Sequence, residues 1–172
     1  MLSCLRNIDK ANSSVKEGLW DRKRFMGEEM YKKTIGIIGL GRIGSRVALR
    51  CKAFEMDVIA YDPYISHEKA ERAGVKLVEE LEELLENSDV LTVHTPLTDE
   101  TERMISAEEI SKMKDGAVVI NCARGGIIDE DALYDALVSG KVKKAAIDVF
   151  TSEPPEKVSL VRLDNVITTP HI

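Results

Sequence analysis

Cysteine is scarce in this chain. Cys4, Cys51 and Cys122 are an odd number with no C-x-x-C spacing, so neither a disulfide framework nor a zinc site is indicated. Histidine is scarce as well, and of the three, His67 and His94 lack metal-ligand company. Long apolar runs are missing too, and none approaches the ~18 residues of a membrane-spanning helix. Positive charge is in deficit, with 24 Lys and Arg against 30 Asp and Glu. A net charge of −6 argues against a nucleic-acid binder, whose phosphate contacts need a basic face. Met1-Leu2-Ser3-Cys4-Leu5-Arg6 is too short and too soon charged for a signal peptide, so a cytoplasmic location is expected. No repeat exceeds a strand–helix unit, and the acid-rich stretch 79–86 reads as a solvated helix face. What remains is 172 residues with 44% hydrophobic content, enough for one soluble domain with a sizeable core.

The chain is rich in alternation. Apolar runs at 34–38, 58–61, 75–78, 90–93, 117–121, 145–149 and 166–168 read as strands. Helical patterns lie between them, at 67–73 before Gly74, at 79–86, after a Ser106/Glu109 capping box, and from Asp129 to Ser139-Gly140. Strands separated by helices predict an α/β fold, a Rossmann-type doubly wound parallel sheet flanked by helices. Residues 1–33 stand apart as a helix over 2–17 and an arm bearing Trp20 and Phe25. The arm's rings either cover the core edge or pack on a second subunit. The methionines at 26, 30, 56, 104 and 113 read as core or edge filler.

Gly39-Leu40-Gly41-Arg42-Ile43-Gly44 follows the first strand directly. Gly39 suits a tight turn, Gly41 lets a pyrophosphate approach the backbone, and Gly44 lets the next helix lie close to the sheet. Free N–H groups at the helix start, around Arg42 and Ile43, face the phosphates. The second strand delivers Asp62 to where an adenosine ribose offers its hydroxyls. A glycine-rich structural turn is the bland alternative, and the order of strand, glycines, helix and acid outweighs it.

Ligands of such sheets bind at the carboxyl ends of the strands. There lie Thr95-Pro96, Asn121-Cys122-Ala123-Arg124-Gly125-Gly126, Asp148 to Glu153, and Pro170-His171. An arginine, a glutamate and a histidine on three strand ends suit proton transfer on an anionic substrate. With Tyr61-Asp62-Pro63, His94-Thr95-Pro96-Leu97, Asp148-Val149-Phe150, Glu153-Pro154-Pro155 and Thr169-Pro170-His171, these motifs resemble the cofactor domain of the D-isomer-specific 2-hydroxyacid dehydrogenases. They span nearly the whole chain in family order. The resemblance implies catalytic roles for Arg124, Glu153 and His171, and NAD as cofactor. It implies that Gly39, Gly41, Arg42, Ile43, Gly44, Asp62, Thr95, Pro96, Cys122, Ala123, Arg124, Asp148 and His171 contact that cofactor, with no metal. Chemistry agrees: imidazole, with an unperturbed pKa of about 6.5, can take a hydroxyl proton, a carboxylate can orient it, and a guanidinium can clamp a substrate carboxylate. Cys122 reads as a small buried spacer, since no base is placed to activate it.

Within the family, the wording around Asp62 and Cys122 is most similar to members that oxidise 3-phospho-D-glycerate in serine biosynthesis. Another D-2-hydroxy acid such as glycerate or lactate, or a non-enzymatic NAD-sensing role like that of corepressors sharing the fold, stays open. The resemblance implies a second, substrate-binding domain that is expected to lie outside this chain, leaving residues 34–172 as the NAD-binding Rossmann domain and 1–33 as a linking helix and arm. Little turnover by this chain alone is then expected. It also implies a homodimer paired through that helix and arm.

Overall fold

The computed structural model describes residues 1–156 and 158–172. Seven strands, β1 (Thr34–Ile38), β2 (Asp57–Tyr61), β3 (Lys76–Val78), β4 (Val90–Val93), β5 (Ala117–Asn121), β6 (Val142–Ile147) and β7 (Val166–Thr168), form one sheet. Its order is β3-β2-β1-β4-β5-β6-β7, and every pairing is parallel. This is the doubly wound order of a Rossmann domain, extended by one strand at the β6 edge.

Side chains alternate between two cores, one on each face of the sheet. Ile35, Ile37, Val58, Val118 and Ile120 meet α1 (Leu2–Arg6), α3 (Arg42–Ala53) and α4 (His67–Arg72) through Cys4, Leu5, Ala48, Cys51 and Ala70. Ile38, Leu91, Val93, Val119 and Ile147 meet α5 (Leu81–Asn87), α6 (Ala107–Lys112), α7 (Glu130–Ser139) and α8 (Val158–Val161). Burial on both faces explains why the central strands are continuous apolar runs rather than alternating ones. The helix signals hold locally. Ser106 and Glu109 form the capping box, Asp129 accepts N–H bonds from Asp131 and Ala132, and Gly140 ends α7 at φ 83°.

Three readings need correction. The single helix over 2–17 is two: α1 ends at Asn7, which adopts a left-handed φ of 54°, and α2 (Ile8–Lys16) follows. The Lys144 ammonium fixes the break, donating to the Cys4 carbonyl (2.9 Å) and to the Asn7 side chain. That lysine also explains the second error, because β6 begins at Val142, not 145. Lys143 and Lys144 look unlike a strand in isolation, yet Lys143 pairs with Glu28 and Lys144 with α1. Third, Met30, Met56 and Met113 are buried as filler, but Met26 is 75% exposed. Helix α8 had no sequence signal, being four residues long. Among the described residues, no helix is long and apolar enough to cross a membrane.

Candidate active site

The sheet reverses its winding between β1 and β4, where doubly wound proteins bind ligands beyond the strand ends. Gly39 leaves β1 at φ 89°, and a β-carbon there would sit 2.8 Å from the His94 carbonyl and 2.9 Å from the Thr95 methyl. The two loops bounding the crevice therefore touch, and only glycine permits it. Gly44 is tighter still, since a β-carbon would lie 2.0 Å from the Gly39 carbonyl. Gly41, by contrast, has open space above it, with nothing within 4 Å of an added β-carbon. Helix α3 starts there without a side-chain cap, unlike α4, α6 and α7, so its first N–H groups stay available to a phosphate. We expect Gly44→Ala to cost about 1–3 kcal/mol of stability by overpacking, read from the denaturation midpoint; an unchanged midpoint would contradict the close approach.

Asp62 sits at the head of β2 with both carboxylate oxygens engaged. Oδ2 accepts the Leu40 N–H (2.8 Å) and Oδ1 the Tyr64 N–H (2.9 Å). The acid thus braces the glycine turn and is fixed beside it, with lone pairs left for ribose hydroxyls. Across the crevice, Thr95 holds the one buried side-chain oxygen among the described residues without a hydrogen-bond partner. An orphaned buried hydroxyl is costly to leave unmade, and a cofactor seated here would satisfy it. Pro96 is exposed beside it, as are Arg42 and Ile43 on the other wall. The open space at Gly41, the uncapped helix and the orphan hydroxyl fit a dinucleotide.

The second half of the site lies at the ends of β5, β6 and β7. Buried Asn121 organises the loop after β5: its amide donates to the Arg124 carbonyl (2.9 Å) and its Oδ1 accepts the Ala123 N–H (3.0 Å). Its own carbonyl receives the Asp148 N–H (3.0 Å), tying this loop to the end of β6. Gly125 presses the loop onto the next one, for a β-carbon there would be 1.9 Å from the Phe150 carbonyl. Arg124 is exposed, donating to the Ala123 carbonyl (2.6 Å), and has no carboxylate at ion-pair distance among the described residues. Its guanidinium is therefore open to an anion. Cys122 is exposed at the same edge, not the buried spacer expected from its size, because β5 ends at Asn121. Desolvation and then the Asp148 carboxylate push its thiol up, away from a reactive thiolate.

His171 and Glu153 meet. Imidazole Nδ1 lies 2.9 Å from Glu153 Oε2, while Glu153 Oε1 accepts the Phe150 N–H (3.2 Å). The contact with His171, then the Phe150 N–H, holds the Glu153 carboxyl below the usual carboxylate range. A carboxylate on Nδ1 selects the tautomer that leaves Nε2 as acceptor. His94 and His67 serve elsewhere: His94 bonds Thr92 (3.1 Å), burial pushing its pKa down, and His67 pairs with Glu79 at the surface. Asn121, and Thr169 with its hydroxyl donating to Asp148, make contacts at the strand ends for which neither residue was assigned a role. An amide three residues before Arg124 was a visible turn signal; nothing local marked Thr169.

The profile of the D-isomer specific 2-hydroxyacid dehydrogenase NAD binding domain matches residues 1–172. The chain belongs to that family. Its fold and its cofactor class follow: it is an NAD-binding domain of the Rossmann kind. It is 56% identical over 171 residues to a D-3-phosphoglycerate dehydrogenase of Methanocaldococcus jannaschii, covering 99% of this chain and 33% of that protein. A hydroxypyruvate reductase of Thermotoga maritima is 48% identical over 175 residues, covering 100% of this chain and 56% of the reductase. The crystal structure of a D-lactate dehydrogenase from Aquifex aeolicus, complexed with NAD and lactic acid, superposes with a TM-score of 0.91 at 38% identity. That match covers 99% of this chain and 56% of the lactate dehydrogenase. This NAD-binding domain thus spans about a third of the length of the phosphoglycerate dehydrogenase it matches.

Proposed function

We propose that the chain is the cofactor half of a cytoplasmic dehydrogenase for a D-2-hydroxy acid, with 3-phospho-D-glycerate as substrate and serine biosynthesis as its setting. The observation that carries the reading is the His171–Glu153 contact, supported by an arginine after β5 that has no ion pair among the described residues. His171 takes the substrate hydroxyl proton at Nε2 and returns it in reverse, while Glu153 stabilises the imidazolium. Arg124 clamps the substrate carboxylate and polarises the carbonyl that develops. NAD, when bound, supplies the hydride acceptor. The glycine turn and the N–H groups of Arg42 and Ile43 would hold its pyrophosphate and Asp62 its adenosine ribose, Thr95 and Pro96 would contact it across the crevice, and Cys122, Ala123 and Asp148 would lie toward its nicotinamide. The phosphoglycerate dehydrogenase relative supports the choice of substrate, and the hydroxypyruvate reductase relative supports a second reading, a different D-2-hydroxy acid such as glycerate.

Residues 1–33 act as the link to a second, substrate-orienting domain, and 34–172 as the dinucleotide unit. Without that partner wall, substrate is not oriented and water is not excluded. Following NADH absorbance with 3-phosphoglycerate tests this. We expect NAD to bind with turnover far below about 1 per second. A rate at or above that value would show that residues 1–172 build the whole cleft.

The same segment is proposed to pair two subunits. Trp20 is 85% exposed, and Ala11, Val15, Leu19 and half-buried Phe25 line an apolar hollow beside it. An aromatic anchor in such a hollow is where interface energy concentrates. Sedimentation at micromolar concentration should give a dimer, weakened by about 30-fold or more in Trp20→Ala, the effect of losing roughly 2 kcal/mol. A clean monomer at high concentration would rule the dimer out, and an unchanged dimer in Trp20→Ala would remove the arm from it.

A further inference from the structure

The turn that carries His171 has an unusual construction. Thr169 N–H donates to the Ile147 carbonyl (3.1 Å), continuing the β6–β7 ladder by one bond. Pro170 follows, and the next donor toward β6 is the His171 N–H. His171 then adopts a left-handed φ of 56°, which a β-carbon disfavours and which persists only where surroundings fix it. The surroundings are one residue, Asp148, which is buried at the end of β6. Its carbonyl accepts the His171 N–H (2.9 Å), and its Oδ1 accepts both the Ile172 N–H (3.1 Å) and the Thr169 hydroxyl (2.5 Å). Three donors from four consecutive residues converge on this aspartate. On the far side of the turn, the imidazole reaches Glu153.

We propose that Thr169 is a positioning residue for the His171–Glu153 pair: its hydroxyl orients the Asp148 carboxylate, which holds the 169–172 turn so that Nδ1 meets Glu153. The inference rests on reading that pair as the acid–base couple, and it deepens that reading by naming what aligns it. Within Asp148 it is Oδ1 that serves the turn, accepting both the Thr169 hydroxyl and the Ile172 N–H.

A merely structural threonine would add its one backbone bond beyond β7 and nothing more. The two roles separate in the carboxyl titrations. Asp148 is faced by the Thr169 hydroxyl, the Ile172 N–H, the His171 imidazole and the Cys122 thiol. The threonine is the largest influence holding its carboxyl below the ordinary range. Glu153 is faced by His171, the Phe150 N–H and Asp148, and His171 is the largest influence on it. Glu153 therefore reports on a contact that Thr169 does not itself touch. Carboxyl carbon NMR of the cofactor-free chain, unsubstituted and as Thr169→Val and Thr169→Ser, follows both groups through acid pH. In Thr169→Val, both titrations should move upward, and Thr169→Ser should restore both. A Glu153 curve unchanged in Thr169→Val, with Asp148 alone displaced, overturns the positioning role. Thr169→Ala carries the same expectation and the same contradiction if the valine variant does not fold. Because no cofactor is present, a failure to bind NAD would sink the proposed function without altering this result.

Discussion

Asp62→Ala should weaken NAD binding by about 10- to 150-fold in a calorimetric titration, the equivalent of one charged hydrogen bond at roughly 1.5–3 kcal/mol. Beyond the lost ribose contact, the Leu40 and Tyr64 N–H groups lose their acceptors, so the glycine turn loosens as well. That second effect places the result toward the upper end. The carboxylate also sets cofactor choice. A 2′-phosphate on the ribose would meet a like charge held rigidly by two backbone donors, and no arginine follows before Arg72 to reverse the preference. Unsubstituted chain should therefore prefer NAD over NADP. Equal affinity for the two would remove Asp62 from the ribose site.

The largest effect belongs to His171. The relevant protein is a chimera in which residues 1–172 replace the matching third of the Methanocaldococcus jannaschii enzyme, 56% identical over that stretch, with the other two thirds of that enzyme retained. There His171→Ala should lower kcat by about 10²–10⁴-fold, the usual worth of a positioned acid–base group. The NAD dissociation constant should change far less, since phosphate and ribose contacts lie at β1, β2 and α3, away from β7. A fall in NAD affinity that accounts for the whole rate loss would make His171 a cofactor contact and not the base.

The centre of the fold was legible because its strands are buried on both faces and its helices carry caps within their own sequence. Ser106 with Glu109, Asp129 and Gly140 each act through neighbours a few residues away. The errors fall where a distant partner decides. Asn7 bends the first helix because Lys144, far along the chain, grips the break, and the same lysine disguises the start of β6. Met26 was assigned to filler by type alone, while the arm leaves it outside. Cys122 was read as a small buried spacer although the expected strand already stopped at residue 121, and the structure leaves it exposed there. In the site, the resemblance supplied Arg124, Glu153 and His171 by residue, and the structure brings the last two into contact. Local pattern could show Asn121 as a turn residue three positions before Arg124, but not that Thr169, Ile172 and Asp148 lock the histidine turn. The bonds to Asp148 cross from the end of β7 to the end of β6, and only the sheet order creates them.

Turnover of that chimera with 3-phosphoglycerate and NAD, followed by NADH absorbance, is the decisive measurement. If residues 1–172 hold the proton-transfer pair and the carboxylate clamp of a phosphoglycerate dehydrogenase, the chimera should work at roughly 1–10³ per second and lose that rate when His171 is replaced. A folded chimera that binds NAD yet oxidises neither 3-phosphoglycerate nor glycerate nor lactate would mean that Arg124, Glu153 and His171 do not serve catalysis here, and that this domain senses NAD instead.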